Sequence, residues 1–251
     1  MLKNELVSII TANYNCEKFI EDTVNSVLNQ TYQNWEMIIV DDVSSDRSIE
    51  IIEKYVREDN RIKLIQLKEN SGAAVARNTA IEEANGRFIA FLDSDDLWTS
   101  DKLKKQIDFM IKNDYDFTYT NYDLIGEDNI RYGKTFEAQK EATYSGLLKT
   151  CTIGCLTAIY DTKDIGKIYM PLIRRRQDYG LWLRILKIVP KAYCLEESLA
   201  IYRKRQNSIS SNKKKAAHFQ WKIYREVEKL NIFSSIYYFV HYAINGFKKY
   251  K

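Results

Sequence analysis

The chain has 251 residues, 45% hydrophobic and 29% charged, enough apolar material for the core of one large domain. The net charge of +4 is unevenly spread: Ile201–Lys251 holds twelve Lys or Arg against Glu226 and Glu228, a balance of +10, which leaves −6 on the first 200 residues. No apolar run reaches 18 residues, the N-terminal Met1-Leu2-Lys3-Asn4-Glu5 lacks the regions of a secretory signal, and four cysteines without a CxxC pair beside two histidines argue against zinc and fit a reducing cytosol.

In chain order, Leu6–Thr11 reads as a strand, and Glu17–Gln30 sets Phe19, Ile20, Val24, Val27 and Leu28 at helical spacing. Trp35–Val40 is a second strand. Ser48–Val56 places Ile49, Ile52, Tyr55 and Val56 on one helical face. Ile62–Leu67 is a third strand, Gly72–Ala84 an alanine-rich helix, Arg87–Leu92 a buried strand, and Ser100–Lys112 a helix. This alternation predicts an α/β fold with a mostly parallel sheet flanked by helices. The second half is less regular. Asp116–Tyr122 is strand-like, residues 126–144 loop-rich, and Leu147–Tyr160 apolar and mixed. Gln177–Ile188 reads as a helix, Lys191–Tyr202 as one or two short strands, and Asn207–Lys215 as polar and mobile. Helices over Ala216–Leu230 and Ile232–Lys249 complete the reading.

In an open parallel sheet, ligands bind outside the carboxyl ends of the strands. The residues just past each strand are therefore the candidate ligand contacts. After the first strand comes Ala12-Asn13-Tyr14-Asn15. After the second comes Asp41-Asp42, after the third Asn70-Ser71-Gly72 and then Arg77, and after the fourth Asp93-Ser94-Asp95-Asp96. Each has a bland reading as a turn or cap. Together they suit a nucleotide diphosphate, with Tyr14 as an aromatic face and Asp42 as an acceptor for a base N–H. The acids at 93–96 repel one another. They fit either a hard divalent cation such as Mg²⁺ or an N-terminal cap for the next helix. The dinucleotide fingerprint GxGxxG and the P-loop are both absent.

Val7-Ser8-Ile9-Ile10-Thr11-Ala12-Asn13-Tyr14-Asn15, Ile38-Ile39-Val40-Asp41-Asp42, Asn70-Ser71-Gly72 with Ala76-Arg77-Asn78, and Phe91-Leu92-Asp93-Ser94-Asp95-Asp96 together resemble glycosyltransferase family 2. The likeness is dense over residues 5–100 and resumes at Gln177–Arg184 and Tyr202-Arg203. It implies a Rossmann-like GT-A fold, a nucleotide-sugar donor, Mg²⁺ or Mn²⁺, and inversion at the anomeric carbon. It also implies roles. Ala12, Tyr14 and Asp42 would meet base and ribose, with Arg77 near the pyrophosphate. Asp93, Ser94 and Asp95 form the DxD motif, with Asp95 the foremost metal ligand and Asp93 the second. Asp178 would be the catalytic base, and Arg203 belongs to a segment that closes over the donor. Asn15, Gly72 and Asp96 complete the donor-site candidates. Three residues depart from the family pattern: Ala12 stands for a usual proline, Val43 for a small residue, and Gln177 for a glutamate beside the base.

The resulting expectation is a non-processive, metal-dependent transferase. It would move one sugar, from UDP first and dTDP second, to a saccharide or lipid-linked saccharide in cell-surface polysaccharide synthesis. A nucleotidyltransferase and a non-catalytic nucleotide-sugar-binding protein are the rivals. Residues 1–210 would form the transferase domain, 1–100 holding nucleotide and 101–210 acceptor, with 211–251 a basic amphipathic extension. Along that extension Phe233, Ile236, Tyr237, Val240, Ala243, Ile244 and Phe247 recur at helical spacing, and Lys248, Lys249 and Lys251 come next. Such a helix fits an anionic membrane interface or a packed position on the domain or a dimer partner. Its aromatics form no stacking platform, so nucleic acid is not an expected partner. The expected location is cytoplasmic, peripheral on the inner face of the cell membrane.

Overall fold

The apolar runs of the first half become strands buried on both faces. The structure, a computed structural model, describes residues 4–205 and 213–248, the side chains at 213–215 and 247–248 excepted. Strands β1 (Val7–Asn13), β2 (Trp35–Asp41), β3 (Ile62–Gln66) and β4 (Phe88–Phe91) run parallel, in the order β3-β2-β1-β4. Their period-2 alternation divides the apolar side chains between two cores. Ile10, Ile38, Val40, Ile89 and Phe91 face one core. Val7, Ile9, Met37, Ile39, Phe88 and Ala90 face the other. Helices on both faces make this doubly buried pattern necessary.

Helices α1 (Ile20–Leu28), α2 (Ser48–Glu58) and α4 (Lys102–Asn113) cover the second core through Val24, Ile52 and Ile107. Helix α3 (Ala73–Glu83) covers the first with Ala76, Ala80 and Ile81.

The sheet continues with β5 (Leu97–Trp98), β6 (Phe117–Ile125), β7 (Arg131–Phe136), β8 (Glu141–Ala142), β9 (Ile159–Asp161) and β10 (Ala192–Arg203). Its main path ends β4-β9-β6-β10-β5, with β7 beside β6 and β8 beside β10. Strand β9 pairs antiparallel with both β4 and β6. The stretch 126–144, expected as loop, holds β7 and β8. β7 is exposed along nearly its whole length, so its sequence lacks a buried alternating face. The segment expected as one or two short strands is one twelve-residue strand, β10, with irregular register against β6.

Helix α5 (Tyr144–Lys149), short α6 (Thr162–Ile165) and α7 (Gln177–Ile185) occupy the second half. α7 packs Leu181, Trp182 and Leu183 into the first core. Gly180 allows that approach: a Cβ there would lie 2.4 Å from Pro171 Cγ. After β10, α8 (Lys213–Lys222) gives way to a π-helical turn at Ile223–Val227, and α9 (Ile232–Lys248) comes last. The helix expected over Ala216–Leu230 is therefore broken. Its Ile223 and Tyr224 are buried in the same core as Trp182. The expected mobile stretch 207–215 lies mostly outside the described residues, as do Lys249 and Lys251.

Candidate active site

Because β1, β2 and β4 are parallel and in register, Asn13, Asp41 and the loop after Phe91 emerge along one edge. The N-terminus of α3 joins them. The turn after β2 is held by its own acids. Asp41 accepts from Asn13 Nδ2 at 2.7 Å and from the Ser44 N–H at 2.8 Å. Asp42 is buried, and its two carboxylate oxygens accept from the backbone N–H of Ser71 at 2.7 Å and Gly72 at 2.8 Å. Asn70 Nδ2 donates to the Asp42 carbonyl. Asp42 thus pins the 70–72 loop, where Gly72 has φ +90°. Between these turns Val43 has φ +66°, a left-handed conformation that a β-branched residue rarely adopts. Tyr14 is 53% exposed on the same edge, and Ala12 is half-buried against the first core. Asn15 Oδ1 accepts from the Ser45 N–H and ties the first loop to the second.

The acidic loop after β4 is built differently. Arg77 of α3, itself buried, donates to Asp93 Oδ1 at 2.5 Å. Burial alone would lower the Arg77 pKa, but Asp93 together with Cys155 and Asp178 more than offsets it, and the net shift is upward. Arg77 Nε is buried without a protein partner. Asp95 Oδ2 is met by Arg205 at 3.1 Å. Desolvation and then the Asp93 charge still hold the Asp95 carboxyl above its ordinary pKa. Asp96 is fully buried. It accepts from the Arg203 N–H at 2.8 Å, and its other oxygen lacks a partner. Burial, then Asp95 and Asp93, push its pKa well up. Ser94 is buried, and its carbonyl accepts from Thr23 and Cys16.

Arg203 does not face this edge. Its side chain is fully enclosed, donating to the Asp95 and Gly126 carbonyls and pairing with Asp22 at 3.2 Å. It braces the acidic loop from behind. The cation at the edge is Arg205, which sequence reading leaves inside a generally basic tail. Arg205 lies over the Phe19 ring at 5.1 Å and with Asn15 lines a cleft of about 260 Å³.

Asp178 comes from the second half. It is the second residue of α7, and the fold brings it within electrostatic reach of Arg77 and Asp93. Desolvation raises its pKa, partly offset by its hydrogen bond from the Tyr179 backbone and by Arg77. A half-buried carboxyl with a raised pKa is suited to taking a proton near neutral pH. Cys155 completes the cluster, its Sγ 3.9 Å from Asp93 Oδ1. No disulfide joins any of the four cysteines, all of which lie among the described residues.

Among the described residues no group of three or more His, Cys, Asp or Glu could hold a metal ion. The carboxylates that could meet a cation at this edge are Asp93 and Asp95, both partly exposed and each facing an arginine. Two hard carboxylates fit Mg²⁺ or Mn²⁺, whose other positions go to water and phosphate oxygen.

The family model described as Glycosyl transferase family 2 matches residues 8–166, which hold the loops after β1, β2, β3 and β4. The chain belongs to that family. A Bacillus subtilis relative, the putative teichuronic acid biosynthesis glycosyltransferase TuaG, is 50% identical over 97% of both chains. The Escherichia coli protein WfgD, named as a UDP-Glc:alpha-D-GlcNAc-diphosphoundecaprenol beta-1,3-glucosyltransferase, is 44% identical over 97% of this chain and 94% of its own. Among solved structures, S. aureus TarS 1–349 in complex with UDP-GlcNAc superposes with a TM-score of 0.71 at 23% identity, covering 94% of this chain and 71% of TarS. A Pyrobaculum calidifontis mannosyltransferase in complex with GDP-Man and Mn²⁺ gives 0.69 at 16%, covering 92% and 66%. The family and these neighbours make the fold GT-A and the chain a glycosyltransferase.

Proposed function

We propose that this glycosyltransferase moves one sugar from UDP to a hydroxyl of a saccharide or lipid-linked saccharide, with inversion, during synthesis of a bacterial surface polysaccharide. The observation that carries the reading is that the fold brings Asp178 of α7 within electrostatic reach of Arg77 and Asp93 at the sheet edge. The relatives support its terms. WfgD is named for a UDP-glucose donor and a diphosphoundecaprenol-linked acceptor, and TuaG for teichuronic acid synthesis.

In this reading Asp178 removes the acceptor proton as the hydroxyl attacks the anomeric carbon from the face opposite the diphosphate, a contribution of about 10²–10⁴ in rate. Tyr14 offers its exposed ring to the base. Asp42 acts through the 70–72 loop it holds. Asp93 and Asp95 would hold a divalent cation, which would offset charge on the leaving diphosphate. Residues 1–100 serve the nucleotide, 101–210 the acceptor, and 211–251 form an extension. No helix among the described residues is long and apolar enough to cross a membrane. From the diphosphoundecaprenol-linked acceptor named for WfgD, we infer peripheral work at the inner face of the cell membrane.

Calorimetric titration of UDP with Mn²⁺ and then with EDTA tests the donor site. Heat that needs both Mn²⁺ and Asp95, lost in Asp95→Ala, is the expected result. Equal binding by the variant, or none by the parent chain, would overturn the assignment.

A further inference from the structure

Helix α9 is apolar on two faces, and only one of them is packed. The inner face is fixed to the domain. Ser235 is buried. Phe239 packs edge-on against Trp221 at 5.6 Å, and Tyr238 lies 6.3 Å from Tyr224. Asn245 donates to the Lys149 carbonyl at 3.2 Å. Tyr242 accepts from Arg176 at 2.7 Å.

The outer face carries Ile232, Phe233, Ile236, Tyr237, Val240 and Ile244. Phe233 is 81% exposed and the others between 44% and 50%. A surface helix normally turns polar residues to water on this side. A continuous apolar stripe on a rigidly held helix marks an interaction surface.

Charge narrows the occupant. From Lys229 to Lys251 the sequence has four lysines and no acid. Lys149 adds a cation, its Nζ 5.7 Å from the Tyr237 ring at the edge of the stripe. A second copy of this helix would bring no acid to answer those lysines, whereas anionic headgroups would. Aromatic and aliphatic residues flanked by lysine match the acyl boundary of an anionic bilayer.

The anchor residues connect this surface to the chemistry. Arg176 donates to Tyr242 of α9 and also to Gln220 of α8. Two residues later in the chain stands Asp178, in the first turn of α7. We propose that the outer face of α9 rests in the interface of an anionic bilayer and holds the Asp178 side of the cleft at the lipid surface. A lipid-linked acceptor would meet the base there without leaving the membrane. This orientation rests on the function proposed above; the lipid contact itself does not.

Co-sedimentation of the full chain with phosphatidylglycerol-rich vesicles tests it, with phosphatidylcholine vesicles and added salt as comparisons. The double variant Phe233→Ser with Ile236→Ser removes exposed side chains only. UDP titration of the same sample verifies its fold. The parent chain is expected to bind the anionic vesicles, more weakly in salt, and the variant to partition roughly tenfold or more less well. Vesicle binding without UDP binding would support the surface while sinking the donor-site reading. Equal partitioning of parent and variant would overturn the proposal. So would a parent that ignores vesicles yet sediments as a dimer which the variant loses, since a second copy would then be the occupant.

Discussion

Two acidic turns share one sheet edge and behave in opposite ways. Around Asp41 and Asp42, the carboxylates are met by backbone N–H groups, Asn13 and Ser44. Around Asp93, Asp95 and Asp96, the acids face one another, and two arginines supply the counter-charge at the edge. The first turn is complete within the chain. The second keeps charge that an external cation can answer. Adjacent aspartates in sequence therefore do not mean one kind of site; the donors the fold aims at them decide.

The sharpest test of this contrast concerns the acid that joins the second set. Asp178→Asn keeps the shape and removes the base, and kcat is expected to fall about 10²–10⁴ while UDP binding holds. In the parent chain, activity should be lost as pH falls through the raised pKa of Asp178, so the acid limb of kcat/KM lies above the ordinary carboxylate value of about 3.9. Near-normal turnover by the variant would remove Asp178 from the mechanism.

Breaking the first turn should cost stability instead. Asp42→Ala strands the N–H groups of Ser71 and Gly72, a loss of about 2–4 kcal/mol in urea unfolding. A change within error would mean that water replaces the carboxylate and that the turn is less self-contained than its geometry indicates.

Asp96→Asn separates the two turns by pH. The substitution keeps an acceptor for the Arg203 N–H and deletes a buried charge. Because burial raises the Asp96 pKa in the fold, the parent loses stability as pH climbs above about 4, where the unfolded chain already ionises. The thermal midpoint of the variant, relative to the parent, should rise over that range. A difference that stays flat with pH contradicts the assignment.

The smallest effect belongs to Val43. Val43→Gly relieves a positive φ at an exposed position, less the entropy of the added glycine, and is expected to stabilise by about 1 kcal/mol. An unchanged midpoint would show that the turn carries no strain.

Much of this edge was legible in sequence because β1, β2 and β4 are continuous apolar runs, and the polar residues after them must emerge together. The roles within it were less so. Asp42 reads in sequence as an acceptor for a base N–H; that it also pins a loop depends on Ser71 and Gly72, some thirty residues away. Arg205 was hidden for a similar reason: nothing local separates it from other basic residues of the tail. Strand β7 left no pattern because it buries almost nothing. In α9 the stripe was visible, but Tyr238, Phe239 and Tyr242 are apolar too. Only their contacts with Trp221, Tyr224 and Arg176 decide which side turns outward.

The contact between Gly180 and Pro171 bears on how far this scaffold can be retuned. A single methyl group at position 180 would collide with the proline ring and lever α7, with Asp178 at its front, away from the donor edge. The reach of Asp178 is set by an absence of atoms on the far side of its helix. Libraries aimed at new acceptors can vary the loops that line the cleft, but positions 171 and 180 have to be varied as one unit.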